Sequence, residues 1–238
     1  MKRSANIYLN IGYWFMPLAI LMFAGFYPTY FAVLFRPRAS IIHLHAALMM
    51  VWVGVIILQP ILIKKRRFDL HRKVGRFSYF LVPVLLLATF LMIRYTYQSQ
   101  LSTQPIEVAR KNLGLPFIYF GGFLLFYPLA VYFRRKAIIH AKYMIATAML
   151  IIGPTLDRLL YWLIGIEGGY WDYLYYITSF LIIDFVVLLM LNYDRKLGNK
   201  YRHSLIILSI FLAGQLTYIF LRDTALWQVP AGWLMYPF

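Results

Sequence analysis

Apolar positions in this chain neither alternate with polar ones nor trace a single helical stripe. They run unbroken for about twenty residues at a time, and polar residues collect in the short gaps between runs. Runs of that kind fit neither a half-buried strand nor a surface helix, so the solvent they imply is lipid. At about 20 apolar residues per crossing, the pattern predicts seven spans, near 11–35, 41–63, 75–97, 114–133, 138–163, 173–193 and 203–222. The widest gap, 98–113, reads as one short polar loop, so no soluble domain stands apart. The expected fold is an all-α integral membrane protein, a seven-transmembrane-helix bundle formed by a single domain over 1–238. The opening "MKRS" and the apolar run behind it resemble a signal peptide, but the run is longer than an h-region and no small-x-small cleavage site follows it. It reads as a retained first helix.

Composition agrees with the pattern. Of the 238 residues 62% are hydrophobic and 13% charged, about half the charge of a soluble domain. The net charge of +16 would suit nucleic acid if the basic residues formed one face, but they sit in clusters between apolar runs, which excludes that partner. The clusters also orient the chain. The N-terminus and the loops at 64–74, 134–142 and 194–202, with Arg76 beside the first of them, hold 17 of the 24 Lys/Arg. Positive charge stays on the cytoplasmic side, so the N-terminus is expected in the cytoplasm and the C-terminus outside. The aromatic stretches "YWLIGIEGGYWDYLYY" (161–176) and "ALWQVPAGWLMYPF" (225–238) then fall at the outer boundary, where Trp and Tyr rings bridge hydrocarbon and headgroups.

With no cysteine, thiolate metal ligands and iron–sulfur clusters are excluded. Imidazole is the remaining soft ligand. His71 precedes the third predicted helix, His140 opens the fifth and His203 opens the seventh, all at the cytoplasmic edge. His43 and His45 lie at the outer end of the second, about 30 Å away. Each alone has an ordinary reading, a hydrogen bond to a headgroup or carbonyl. Three at one level suggest more: three imidazoles would suit zinc, and two facing each other would suit haem. No His-x-x-x-His pair of the kind expected for zinc occurs. His71 and His140 are the preferred metal pair, with His203 and His45 as further cofactor-binding candidates. Arg72, Lys73, Lys136 and Lys142 flank the pair as candidate partners for haem propionates.

Two further groups need a reason to be inside a bilayer. Asp184 sits about eleven residues into the sixth predicted helix, near the midplane, with Gln215 of the seventh at similar depth. The two are expected either to relay a proton or to hydrogen-bond to each other. Nearer the outer face, Arg94, Asp157 and Arg158 approach the level of His45. Arg158 would pair with Asp157 or snorkel, or the arginines would contact an anionic headgroup or a quinone carbonyl.

Two resemblances rest on these residues. "HAALMMVW" (45–52) followed by "LHRK" (70–73) resembles the ascorbate-reducible transmembrane cytochrome b family, with Trp52 one residue earlier than in that family. The family holds one haem between the second and fourth helices of its core and another between the third and fifth. The fourth predicted helix here has no His, so the resemblance implies at most one haem b, between His71 and His140. Over most of its length the chain also resembles a bacterial multi-span membrane family of unknown function. The matching residues are His45, Gln59, His71, Arg72 and Gly75 of "LHRKVGR", then His140, Lys142 and Met144 of "HAKYM", with "GPTLDRL" (153–159) and the "WQ" of 227–228. That likeness implies a bacterial inner membrane and no particular activity.

Three function classes remain: a haem-b or quinone-linked electron-transfer protein, a cofactor-free accessory or assembly subunit of a larger membrane complex, and a proton-coupled transporter or binder using Asp184. A zinc-dependent membrane enzyme is a fourth. A retinal protein is excluded because 203–222 holds no lysine, and no Walker loop, nucleophile elbow or Asp-rich prenyl-diphosphate motif occurs.

Overall fold

The computed structural model describes residues 12–165, 170–198 and 201–235, with backbone only at 170–173. The basic residues of the N-terminus, Lys200 and parts of both aromatic stretches therefore lie outside the described residues. Within them every regular element is a helix and none is a strand. Six helical segments are long and apolar enough to cross a membrane, and the chain is an all-α membrane bundle.

The first expected span, 11–35, is not one helix. The apolar helical stretch Gly12–Phe26, of which Met16–Phe26 is α1, ends in a turn, followed by a 3-10 turn at Phe31–Val33. Pro28 contributes to the stop, since it has no N–H to give the Ala24 carbonyl, which takes the Tyr27 N–H instead. At 1.5 Å per residue, Gly12–Phe26 measures about 22 Å, short of the 30 Å core.

The next elements are α2 (Ser40–Lys64), α3 (Phe68–Leu101), α4 (Ile106–Asn112) and α5 (Gly114–Tyr132). Because α3 starts at Phe68, His71 lies in its first turn rather than before it. The expected polar loop at 98–113 is instead taken up by the end of α3 and by α4, leaving only Ser102–Pro105 between them. The expected span 138–163 is broken into α6 (Ala137–Met149) and α7 (Ile152–Ile164). The cause is Pro154, whose ring displaces the carbonyl of Leu150 and whose missing N–H leaves that carbonyl without its helical donor. Thr155 steadies the break by donating to the carbonyls of Ile151 and Ile152, both at 2.8 Å. The chain closes with α8 (Tyr170–Lys196), α9 (Tyr201–Leu221) and an unexpected short helix, α10 (Ala225–Leu234).

Neighbouring helices pair: α2 with α3, α5 with α6, α8 with α9, and α1 against α7. The α1–α7 crossing is close enough that a Cβ on Gly25 would overlap the Thr155 carbonyl oxygen. Trp52, Val82, Leu85, Phe126, Tyr143, Ile183, Val187 and Ile207 are buried in the central core. Leu87, Phe185, Leu189 and Phe220 are exposed on the perimeter, where lipid covers them. A second apolar cluster, Ile93, Tyr97, Ala109, Leu113, Ala231 and Met235, seats α10 on α4, and the Trp227 indole N–H donates to the Arg110 carbonyl at 2.8 Å.

Candidate functional site

Buried polar groups fall into two kinds. Some are paired and lace the bundle together at three depths. At one end Lys142 Nζ meets Asp194 Oδ2 at 2.6 Å, both side chains fully buried, and Ser204 donates to the same oxygen. In the middle, Gln215 Nε2 donates to Asp184 Oδ1 at 3.0 Å. Toward the other end Ser179 donates to Asp157 Oδ1. These contacts tie α8 in turn to α6 and α9, to α9 again, and to α7. The other kind is buried and lacks a partner, and includes Trp52 Nε1, Gln59 Oε1 and His71 Nδ1 in one region, Tyr119 OH and Asp157 Oδ2 in another, and Arg110 Nε and Gln228 Oε1 near α10. A buried orphan polar atom costs free energy, so it marks a place where a bound molecule would supply the missing partner.

The first region is assembled from four helices. Seven residues are nearly two helical turns, so Trp52 and Gln59 share a face of α2, and His71 and Ser78 share a face of α3. Gln59 Nε2 donates to the His71 carbonyl at 3.2 Å. Ser78 Oγ donates to the Gly75 carbonyl at 2.6 Å, which uses its only proton, so the Tyr127 hydroxyl on α5 donates to Ser78 at 2.8 Å. The Trp52 ring packs edge-on against Phe123 and Tyr127, with centroids 5.3 and 5.6 Å away. His140 enters from α6. Its Nδ1 lies 2.8 Å from the Ala130 carbonyl, one of the four that the end of α5 leaves without an intrahelical donor. A carbonyl only accepts, so Nδ1 carries the proton and Nε2 of the neutral ring presents a lone pair. His71 and His140 lie within electrostatic range of each other.

The other predicted residues go elsewhere. His203 does not join His71 and His140: its Nδ1 is 3.1 Å from the Tyr143 hydroxyl and its ring packs on Phe133. Among the described residues no three His, Asp or Glu side chains gather to hold a metal, so the imidazole triad for zinc does not form. Lys142, expected to face a propionate, is instead committed to Asp194, and Arg72 pairs with Asp69 on the surface. His43 meets the Tyr30 hydroxyl at 3.1 Å, and His45 Nδ1 lies 3.2 Å from Thr89 Oγ1. Asp157 and Arg158 form no ion pair. Asp157 takes Ser179, while Arg158 donates to the Pro154 carbonyl at 2.7 Å and rests 4.6 Å over the Phe26 ring. Arg94 is half-buried and makes no polar contact with these groups among the described residues. Sequence reasoning missed Trp52 as a polar group, Tyr119, Tyr127 and Ser179. Within long apolar runs no sequence signal singles them out.

Comparison with protein-family models, with curated proteins and with solved structures finds no match to this chain.

Proposed function

We propose that the chain is a seven-crossing bundle, N-terminus in the cytoplasm and C-terminus outside, that binds haem b between His71 and His140 as an electron-transfer protein of a bacterial inner membrane. The observation that carries the haem reading is the pair of imidazoles itself. One has a buried nitrogen without a partner, and the other has its tautomer set by a backbone carbonyl so that Nε2 is a ligand lone pair. A carbonyl holding the far nitrogen is how metal-ligating histidines are oriented. The donor set, two neutral nitrogens beside an aromatic wall of Trp52 and Tyr127, suits a planar iron porphyrin. When bound, haem would supply one-electron redox chemistry. The chain's own part is to orient His140 through Ala130, to brace the first turn of α3 through Gln59, and to exclude water with Trp52, Phe123 and Tyr127. Lys73 and Lys136 remain as cations for the propionates.

The seventh crossing is supported by the path of α1. A Cβ at Gly12 would lie 2.8 Å from the Ile57 carbonyl, and Lys64 Nζ sits 4.5 Å over the Tyr13 ring. Gly25 meets Thr155, near the opposite end of the bundle. The stretch therefore runs antiparallel to α2 over most of its depth. The relay reading of Asp184 has less support, because its Oδ1 already accepts from Gln215 in a structural contact between α8 and α9.

Protein purified from a haem-replete host should show a Soret band that sharpens on reduction. His71→Ala or His140→Ala should remove it, and His43→Ala should leave it. A reporter fused after Phe238 should be active only outside the cytoplasm. A colourless preparation would end the haem reading, and co-purification of other membrane subunits with it would favour an accessory role.

A further inference from the structure

The second set of orphan atoms lies in the opposite half of the bundle. Asp157 is 8% exposed, its Oδ1 accepts from the fully buried Ser179, and its Oδ2 has no partner. The Tyr119 hydroxyl, on α5, is also buried without a partner and packs onto Gly153, one turn before Asp157. A side chain at Gly153 would fill the space the hydroxyl occupies. Tyr119 lies within electrostatic range of Asp157, Arg158, Tyr176 and Tyr218. Beyond them, the Arg222 guanidinium stands 4.4 Å over the Tyr218 ring.

His45 faces this group from α2, within electrostatic range of Arg158. Thr89 Oγ1 donates its single proton to the Leu85 carbonyl at 2.7 Å, so it accepts from His45 Nδ1. His45 Nε2 is then left as an acceptor. Seven helices therefore bring polar or aromatic groups to one layer: Phe26, His45, Thr89, Tyr119, Asp157 with Arg158, Ser179 and Tyr218.

Three properties define what would bind. Depth is the first: Arg158 lies six residues, about 9 Å, inside the end of α7, and its side chain is exposed, so the layer opens at Arg158, on the hydrocarbon side of the headgroups, and a ligand would enter there to reach the buried Asp157 and Tyr119 atoms. Charge is the second. Arg158 and Asp157 carry opposite charges, Arg222 meets Asp223 at 3.5 Å, and an added anion would leave net charge in a low-dielectric layer, which is costly. Hydrogen bonding is the third: Asp157 Oδ2 and His45 Nε2 both accept, while Tyr119 OH accepts or donates. A neutral ligand bearing hydroxyl donors and an acceptor oxygen on an apolar body meets all three. We propose that this layer binds the hydroxylated ring of a lipid-soluble quinol, with a ring hydroxyl donating to Asp157 and a ring oxygen meeting Tyr119. The site is distinct from the histidine pair and does not depend on haem.

The test uses the full chain in nanodiscs of neutral lipid and the fluorescent quinol analogue heptyl-hydroxyquinoline N-oxide, titrated by quenching. One site per chain is expected. Asp157→Asn, which turns the orphan acceptor into a donor, and Tyr119→Phe should each weaken binding about ten-fold. Asp184→Asn should not change it. Thermal melts of every variant separate lost contacts from lost fold, and Tyr119→Phe keeps the packing even where Asp157→Asn does not. Unchanged affinity in both variants would overturn the proposal. So would displacement of the probe by phosphatidylglycerol but not by decylubiquinol, which would make the layer an anionic headgroup site. Loss of the Soret band in His71→Ala with probe binding intact would leave this proposal standing alone.

Discussion

Replacing Lys142 with methionine removes one partner from a fully buried ion pair. At the observed 2.6 Å, and with an effective dielectric of about 20, the attraction is about 6 kcal/mol. Desolvation of the two charges offsets much of that, several kcal/mol for each ion, so the intact pair adds little over a well-packed apolar replacement. Breaking it is another matter. Lys142→Met takes the ammonium away from the buried Asp194 carboxylate, and a loss of about 3–5 kcal/mol is expected. Asp194→Leu takes the carboxylate away from the buried ammonium and should cost a similar amount. The double variant Lys142→Met/Asp194→Leu restores charge balance and should recover most of the loss. The measurement is SDS-induced unfolding in mixed micelles, followed by far-ultraviolet circular dichroism, for all four proteins. The cycle should return a coupling energy of several kcal/mol, far above the scatter expected for independent sites. If the two single losses simply add, the ammonium and carboxylate are not a coupled pair, and the reasoning fails.

Two further changes are checked in the same assay. Gly25→Ala forces a methyl group onto the Thr155 carbonyl where α1 crosses α7 and should destabilise by about 1–3 kcal/mol, whereas Gly54→Ala, with open space around it, should cost nothing. Asp184→Asn keeps an acceptor for Gln215 and should preserve stability, while Asp184→Leu should lose about 1–2 kcal/mol; equal, negligible effects would leave that contact without a structural role.

Long apolar runs made α2, α3, α5, α8 and α9 legible, because a 20-residue apolar run has one structural solution in lipid. The meeting of Asp184 with Gln215 was legible from matched depth alone. The break at Leu150–Ile151 was readable in principle from Pro154, but hydropathy averages over it, so one span was expected where two half-helices stand. Outside α7, helix rotation left little trace in the pattern. All-round apolar helices carry no stripe to show which face turns inward, so nothing indicated that Lys142 faces Asp194 instead of a cofactor. The grouping of Tyr119 with Asp157 was hidden for the same reason. Helix α10 falls in the stretch whose Trp and Tyr content points to the membrane interface, and its seat on α4 depends on a non-local contact between Trp227 and Arg110.

The interruption at Pro154 divides the duties of one span. His140 and Lys142 ride on α6, and Asp157 and Arg158 ride on α7. In an unbroken rod these two groups would move as one lever, and any tilt at one membrane face would appear, reversed, at the other. With a joint between them, the α6 half stays clamped by the Lys142–Asp194 strap while the α7 half follows α1, which crosses it at Gly25. Each face of the membrane thus has its own half-helix to adjust, and the bend angle at the joint is the quantity through which the two faces would exchange mechanical information.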